Sequence, residues 1–458
     1  MTRISVVGVP SSAGSYAAGQ DQAPGALRSA GLVEALVAAG REVRDDGDLP
    51  LQVWRPDRDH PLAQNAEQVT ACLRELAERL GPPLANGDMV LVLGGNCTIA
   101  LAVIAALRRM RAGPPGLLYI DRHYDINTPQ STIDGALDWM GLAHALSLPG
   151  CVDALAGAFG PRPLLQPNQV AWVGVEPRTA TDWEREQASR LGLHVTSSEA
   201  LAADPAAAAS DALGYLPLGP LAIHIDVDVL DFTDAPLAEN TDGRNTGPTL
   251  DQAAEALRVA ARDPRLRAFS IGELNPTRSA GDPEAIPRFV RVLAGVLAAS
   301  SDPAGPGSRE VVLRPAEPGD APAMQRLAIS SYGKYVPRMG REPAPMADDY
   351  AAVVARGHAW VAEHGDQLVG LLVLQPAEGH LLLENIAVAP SAQNTGLGSR
   401  LLRLAEQRAL AMGLPEIRLY TNEAMTENLD YYPRRGYRET HRATQDGYQR
   451  VFFSKALS

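Results

Sequence analysis

The segment GLLYIDRHYDINTP, residues 116–129, decides how the first part of the chain is read. An apolar run ends at Ile120, and Asp121, His123 and Asp125 then follow at alternate positions. Alternate side chains of an extended chain point the same way, so the three converge where the strand stops. LAIHIDVDVLD, residues 221–231, repeats the arrangement with Asp226 and Asp228. Carboxylates grouped at the ends of apolar strands repel one another unless a cation neutralises them. A single such pair is explained as well by a helix cap or a pinned loop. Two sets at two strand ends favour a metal site.

Outward from these segments, further apolar runs recur at ISVVGV, MVLVLGG, VAWVGV and AFSIGEL. Helical periodicity fills several of the intervals. Val69, Cys72, Leu73, Leu76 and Leu80 share one face, which makes Cys72 a core residue. Thr249 and Gln252 form the ends of a capping box. Strand–helix repetition of this kind predicts an α/β domain, a three-layer α/β/α arrangement with a mostly parallel sheet. One strand–helix junction, LVLGGNCTIAL at residues 91–101, carries Asn96 and Cys97. Cys97 can there be a metal ligand, a nucleophile or a small residue filling a corner.

The chain has 458 residues, so two or three domains are expected. Residues 299–310, ASSDPAGPGSRE, have linker composition. The expected boundaries are residues 1–300 for the first domain, 301–308 for the linker and 309–458 for an α+β domain. The net charge of −13 argues against nucleic acid or an anionic membrane as partner. No apolar run is long enough to span a membrane. The N-terminus reads as a strand, not a signal peptide. Three widely spaced cysteines fit a reduced, cytoplasmic setting.

In the second domain the strand HLLLENIAVAP leads through SAQNTGLGS into a helical stretch whose Leu401, Leu404, Ala405 and Met412 form an apolar stripe. The glycines at 396 and 398 let backbone N–H groups of residues 394–399 meet an anion at the helix start.

The first domain resembles the ureohydrolases, the family of arginase and agmatinase. The resemblance runs through GVPSSAG, APGALRSAGL, DDGDLP, DRHYDINTP, HIDVDVLD and GELNP. It implies two manganese ions at the C-terminal strand edges and hydrolysis of a guanidinium group. Asp121, Asp125 and Asp226 would serve one ion; Asp121, His123, Asp226 and Asp228 would serve the other. Glu273 would hold the guanidinium cation through a bidentate link. Where the family reads GGDHS this chain reads GGNCT, so Cys97 takes a histidine ligand's place. A soft thiolate there suits zinc or iron better than manganese and implies a weaker first site, with one ion or two bound. Arginases carry Ser, Asn and a proton-shuttling His where this chain has Asp134, Ala136 and Asp138. Asp125, Asp138 and Glu273 are thus catalytic candidates, with His144 as a substitute proton carrier. Asn127, Asp134, Glu176 and Glu273 are candidate substrate contacts, and His224 lines the same edge.

The second domain resembles the GNAT acyltransferases, which take acetyl-CoA. By that resemblance Val388, Gln393, Asn394, Gly396, Gly398, Ser399 and Asn428 would bind the donor. Tyr432, four residues before Gly436, would be the acid that protonates the departing thiolate, with Tyr431 as its packing neighbour. The expectation is a bifunctional enzyme. It would hydrolyse a guanidino compound, N-substituted or hydroxylated, and acetylate an amine. The alternative is a metal-deficient ligand-binding module on an active acetyltransferase. Oligomers are common among ureohydrolases, so the resemblance also implies a homo-oligomer.

Overall fold

A computed structural model describes residues 2–132, 134–217, 219–238, 246–298, 311–364, 367–393 and 396–457. The expected linker at 301–308 and Asn394 lie outside the described residues. Two compact units divide the chain, Met1–Ser308 and Arg309–Ser458.

The first unit is built on eight strands: β1 Ile4–Gly8, β2 Val43–Asp48, β3 Met89–Leu93, β4 Gly116–Ile120, β5 Val170–Val175, β6 His194–Ser197, β7 Leu221–Asp226 and β8 Leu266–Gly272. They order as β2-β1-β3-β8-β7-β4-β5-β6, and every pairing is parallel. Inner strands are apolar on both faces because helices cover both. In β3, Met89, Leu91 and Leu93 join the core shared with helices Leu250–Ala261 and Ala285–Ala298. Val90 and Val92 point to the other core, with helices Ala66–Ala85 and Ile99–Arg109. Cys72 is buried in that second core, as its stripe predicts. The order β3-β8-β7-β4 brings Cys97, Glu273, Asp226 and Asp121 to neighbouring positions along the C-terminal edge. Open parallel sheets bind ligands along this edge.

The second unit has seven strands: β9 Val311–Pro315, β10 Ala359–His364, β11 Gln367–Ala377, β12 His380–Val388, β13 Glu416–Asn422, β14 Arg438–Gln445 and β15 Tyr448–Ala456. Their order is β14-β15-β13-β12-β11-β10-β9. Only β12 and β13 pair in parallel, and only over Leu381–Leu383 with Ile417–Leu419. Beyond that point the two strands part. At the same place Glu384 is an extra residue on β12: Val373 faces Asn385 while Leu374 faces Leu383. Such bulges re-aim a side chain. The helix Leu397–Ala411 buries Leu401 and Ala405 against this sheet. Met412 departs from the expected stripe. The helix stops at Ala411, and Met412 lies past its end, 40% exposed.

Candidate functional sites

At the first sheet edge two interlocking groups of donor atoms form. Asp121, His123, Asp226 and Asp228 make one; Cys97, Asp121 and Asp125 make the other. Within each, the ligand atoms lie within 4.8 Å of one another. Asp121 belongs to both. Local turns aim the set: Asp121 Oδ1 accepts from the His123 N–H at 2.6 Å, and Asp226 Oδ1 from the Asp228 N–H at 2.7 Å. His123 Nδ1 sits 3.2 Å from Asp228 Oδ2 and 3.4 Å from Asp121 Oδ1. Asp125 has φ 54°, a left-handed conformation uncommon without glycine. That turn brings its Oδ2 to the Tyr119 hydroxyl at 2.5 Å.

Burial and neighbouring carboxylates shift the acids of this cluster. Burial, with Asp228 adding to it, pushes the Asp121 carboxyl upward. Asp226 and Asp125 rise well above the carboxylate range for the same reason, each next to other carboxylates. Burial opposes a charge on His123, yet Asp228 and Asp121 outweigh it and favour the protonated ring. Asp121 Oδ2 is buried and accepts no hydrogen bond among the described residues. Carboxylates, an imidazole and a thiol so arranged fit a divalent cation.

Glu273 flanks this cluster, also in a left-handed conformation at φ 62°. Its Oε1 accepts from the Cys97 N–H at 2.9 Å and its Oε2 from Gln20 Nε2 at 3.1 Å. Gln20 Nε2 also donates to Ser15 Oγ at 3.0 Å. Ser15 hydrogen-bonds Asp138 as well, which burial lifts to about 7 with Asp134 adding to the rise. Gly14 O accepts from the N–H groups of Leu137 and Asp138, so the N-terminal loop fixes the 134–138 loop. Sequence reading passed over Ser15 and Gln20. Their signal was the polar content of a loop following β1, next to the motif segment GVPSSAG.

Other expected residues are engaged elsewhere. Asn127 is buried, and its Oδ1 accepts from Thr181 Oγ1 at 2.8 Å and Ser131 Oγ at 2.9 Å. Asp134 Oδ1 accepts from the Ala136 N–H at 3.1 Å. Glu176 follows β5 at the same edge, but Arg178 takes both its oxygens at 2.9 Å. His144 is a packing residue: its Nδ1 donates to Met140 O at 2.6 Å and its Nε2 accepts from the Val152 N–H at 3.1 Å. The second contact requires the neutral ring.

Burial accordingly lowers His144 from 6.5 to about 4. Its folded pKa lies below the unfolded one, so its contribution is complete above about 6.5 and fades as pH falls towards 4. The loss amounts to about 3 kcal/mol. Urea unfolding at pH 7 and at pH 4.5 checks this. The acid loss should shrink by about 2 kcal/mol in His144→Gln. An unchanged loss contradicts it.

In the second unit, Gly396 caps the long helix at φ 81°. A Cβ on Gly398 would lie 2.7 Å from the Tyr431 hydroxyl, so backbone there is open only with glycine. Ser399 Oγ accepts from Arg435 Nε at 3.1 Å and Nη2 at 3.0 Å, while the guanidinium stacks 3.7 Å over Tyr431. Val388 O accepts from Ser331 Oγ and Gln393 Nε2, both at 3.1 Å. Asn428 Nδ2 donates to Thr421 Oγ1 at 2.9 Å. Tyr432 is buried against Tyr431, Tyr437 and Phe453. Burial holds its phenol well above the usual range. Glu384, absent from the sequence reading, stands at the fork of β12 and β13 with Oε2 3.3 Å from Arg356 Nη2.

Among the described residues no helix is long and apolar enough to cross a membrane. Residues 2–293 match the model of the Arginase family, and residues 323–437 match that of the Acetyltransferase (GNAT) family. Human arginase-1 is 28% identical over 304 residues, covering 65% of this chain and 92% of its own. The Bacillus subtilis arginase is 30% identical over 235 residues, 51% of this chain and 77% of its own. The native Bacillus caldovelox arginase structure superposes with a TM-score of 0.58 at 24% identity, covering 66% of this chain and 99% of its own. The chain therefore belongs to the arginase family and carries a GNAT-family acetyltransferase domain behind its arginase-family domain.

Proposed function

We propose that the first domain hydrolyses the guanidinium carbon–nitrogen bond of a small cationic compound and that the second acetylates an amine. The observation that carries the first half is the pair of donor groups sharing Asp121, set directly beside Glu273. Cys97, Asp121, Asp125 and Asp226 would hold one divalent cation; Asp121, His123, Asp226 and Asp228 would hold a second. When bound, such cations supply the Lewis acidity that makes water nucleophilic near neutral pH. Glu273 would pair with the guanidinium, its two oxygens oriented by Gln20 and the Cys97 N–H. Asp138, which burial lifts to about 7, would pass a proton to the leaving amine. Acetyl-CoA is the second domain's donor in this reading, with its pyrophosphate at Gln393, Asn394, Gly396, Gly398 and Ser399. Tyr432 would protonate the thiolate. Glu384 is the candidate acceptor for the proton the amine gives up.

Hydrolysis leaves a primary amine, and an acetyltransferase consumes one. This chemistry suggests a reason for the fusion. The test incubates the full chain with Mn2+, acetyl-CoA and a panel of guanidino compounds, among them N-hydroxy and N-alkyl forms, and follows amine, acetylated amine and free thiol. An absence of turnover across the panel counts against hydrolysis. Full chains carrying Asp121→Asn and Tyr432→Phe, mixed, should yield acetylated product more slowly than the wild type. Equal rates remove the case for coupling.

A second reading has one observation in its favour. Cys97 Sγ is buried 3.2 Å from Asp226 Oδ2, surroundings that push its thiol well upward, so ionising it to act as a ligand costs free energy. In that reading the first domain binds a ligand without hydrolysing it. Saturable binding of a guanidino compound without turnover, in metal-loaded protein, would select it.

A further inference from the structure

The geometry points to His224 as a positioning residue that orients Cys97 and hydrogen-bonds its sulfur when that sulfur ligates a cation. This rests on the ligand set proposed above. Strand β7 puts His224 two residues before Asp226, so both side chains leave the same face. The ring is completely buried. Its Nε2 lies 3.2 Å from Cys97 Sγ, and its Nδ1 lies 2.8 Å from Ser270 Oγ on the neighbouring β8. Tyr119 stacks on the ring with centroids 4.9 Å apart and planes 13° from parallel. The same Tyr119 holds Asp125 through its hydroxyl. A Cβ on Gly272 would fall 3.0 Å from both Cys97 Sγ and His224 Cε1. Glycine at that place leaves the sulfur and the imidazole room to meet.

The sulfur is thus bounded on two sides. Asp226 Oδ2 lies 3.2 Å away among the carboxylates, and Nε2 of the buried imidazole also lies 3.2 Å away. A neutral imidazole has one N–H and one acceptor nitrogen. Ser270 is a hydroxyl and can donate to Nδ1 or accept from it. If Ser270 donates, the ring proton sits on Nε2 and points at the sulfur. A ligating sulfur is negatively charged and has no proton to give, so this tautomer fits it. The hydrogen bond adds no positive charge to the pocket and leaves lone pairs on the sulfur for a cation. Partners behind a ligand of this kind fix its orientation, and their loss costs roughly 10–100-fold in metal affinity.

Cobalt(II) is the probe, because a cobalt–sulfur bond gives a near-ultraviolet charge-transfer band that carboxylates and imidazole do not. Titration of the full chain with Co2+ should show the band in wild type and lose it in Cys97→Ser. His224→Phe keeps a ring against Tyr119 and removes both nitrogens. It should shift the band and weaken Co2+ binding about 10–100-fold. His224→Gln retains an N–H able to reach the sulfur and should stay within a few-fold of wild type. Thermal unfolding of the metal-free variants verifies that each is folded. Identical affinity and band in His224→Phe would overturn the inference. Cobalt bound by wild type without the band would also overturn it, leaving the carboxylate–histidine group standing. Failure of wild type to bind cobalt at all would remove the metal reading itself.

Discussion

Asp121→Asn should lower guanidinium hydrolysis on the order of 10³-fold or more, the rate equivalent of the several kcal/mol a bound cation supplies. The size follows from position. Asp121 belongs to both donor groups, so one substitution weakens both. Its Oδ2 is buried and receives no hydrogen bond from the described residues, which leaves that oxygen to a cation. An amide there keeps the shape of the side chain and still accepts from the His123 N–H through its oxygen. Removing one charge from a crowd of buried carboxylates should also stabilise the metal-free protein. The variant therefore melts higher than wild type without metal and gains less on adding Mn2+. Hydrolysis within tenfold of wild type, or a lower metal-free melting temperature, contradicts this account.

Tyr432→Phe should reduce acetyl transfer by about 10²–10³-fold, the range expected for loss of a positioned general acid. The ring is 5% exposed and packs edge-on against Tyr431 and Tyr437, contacts that Phe preserves. The variant thus isolates the hydroxyl. Burial pushes the phenol pKa up, so the hydroxyl carries its proton at neutral pH. Acetyl-CoA affinity should stay within about twofold, because the cradle at Gly396, Gly398 and Ser399 is untouched. Isothermal titration for affinity and thiol release for rate separate the two effects. A rate within threefold of wild type would leave Tyr432 as packing only.

How much of this was legible in the sequence depended on burial. The six apolar runs of the first domain are six strands, five of them buried throughout and Leu266–Gly272 nearly so. The two that gave no apolar signal, Val43–Asp48 and His194–Ser197, are the outer strands of the sheet. VRDDGD and HVTS are half-exposed, and an edge strand has one flank without a partner and little apolar pressure on its composition. The same holds for β14, RETHRATQ, which is exposed along its whole length. Carboxylates of the candidate centre were legible because strand alternation alone aims them. Ser15, Gln20 and Ser270 were not, since their parts depend on loops and strands distant in sequence meeting at one edge. Glu384 was hidden for another reason: a bulge shifts the register locally, and periodicity cannot show where an extra residue is inserted. His144 and Asn127 have the residue types of a site, and hydrogen bonds to their immediate surroundings account for both.

The central claim is that these two donor groups form a metal centre, and metal content per chain tests it most directly. Elemental analysis of protein purified without chelator, then saturated with Mn2+ and desalted, should give one to two ions per chain. The ion on the Cys97 side should be the more easily lost and the one depleted in Cys97→Ala. No retained manganese, with zinc and iron also failing to bind, would contradict the account.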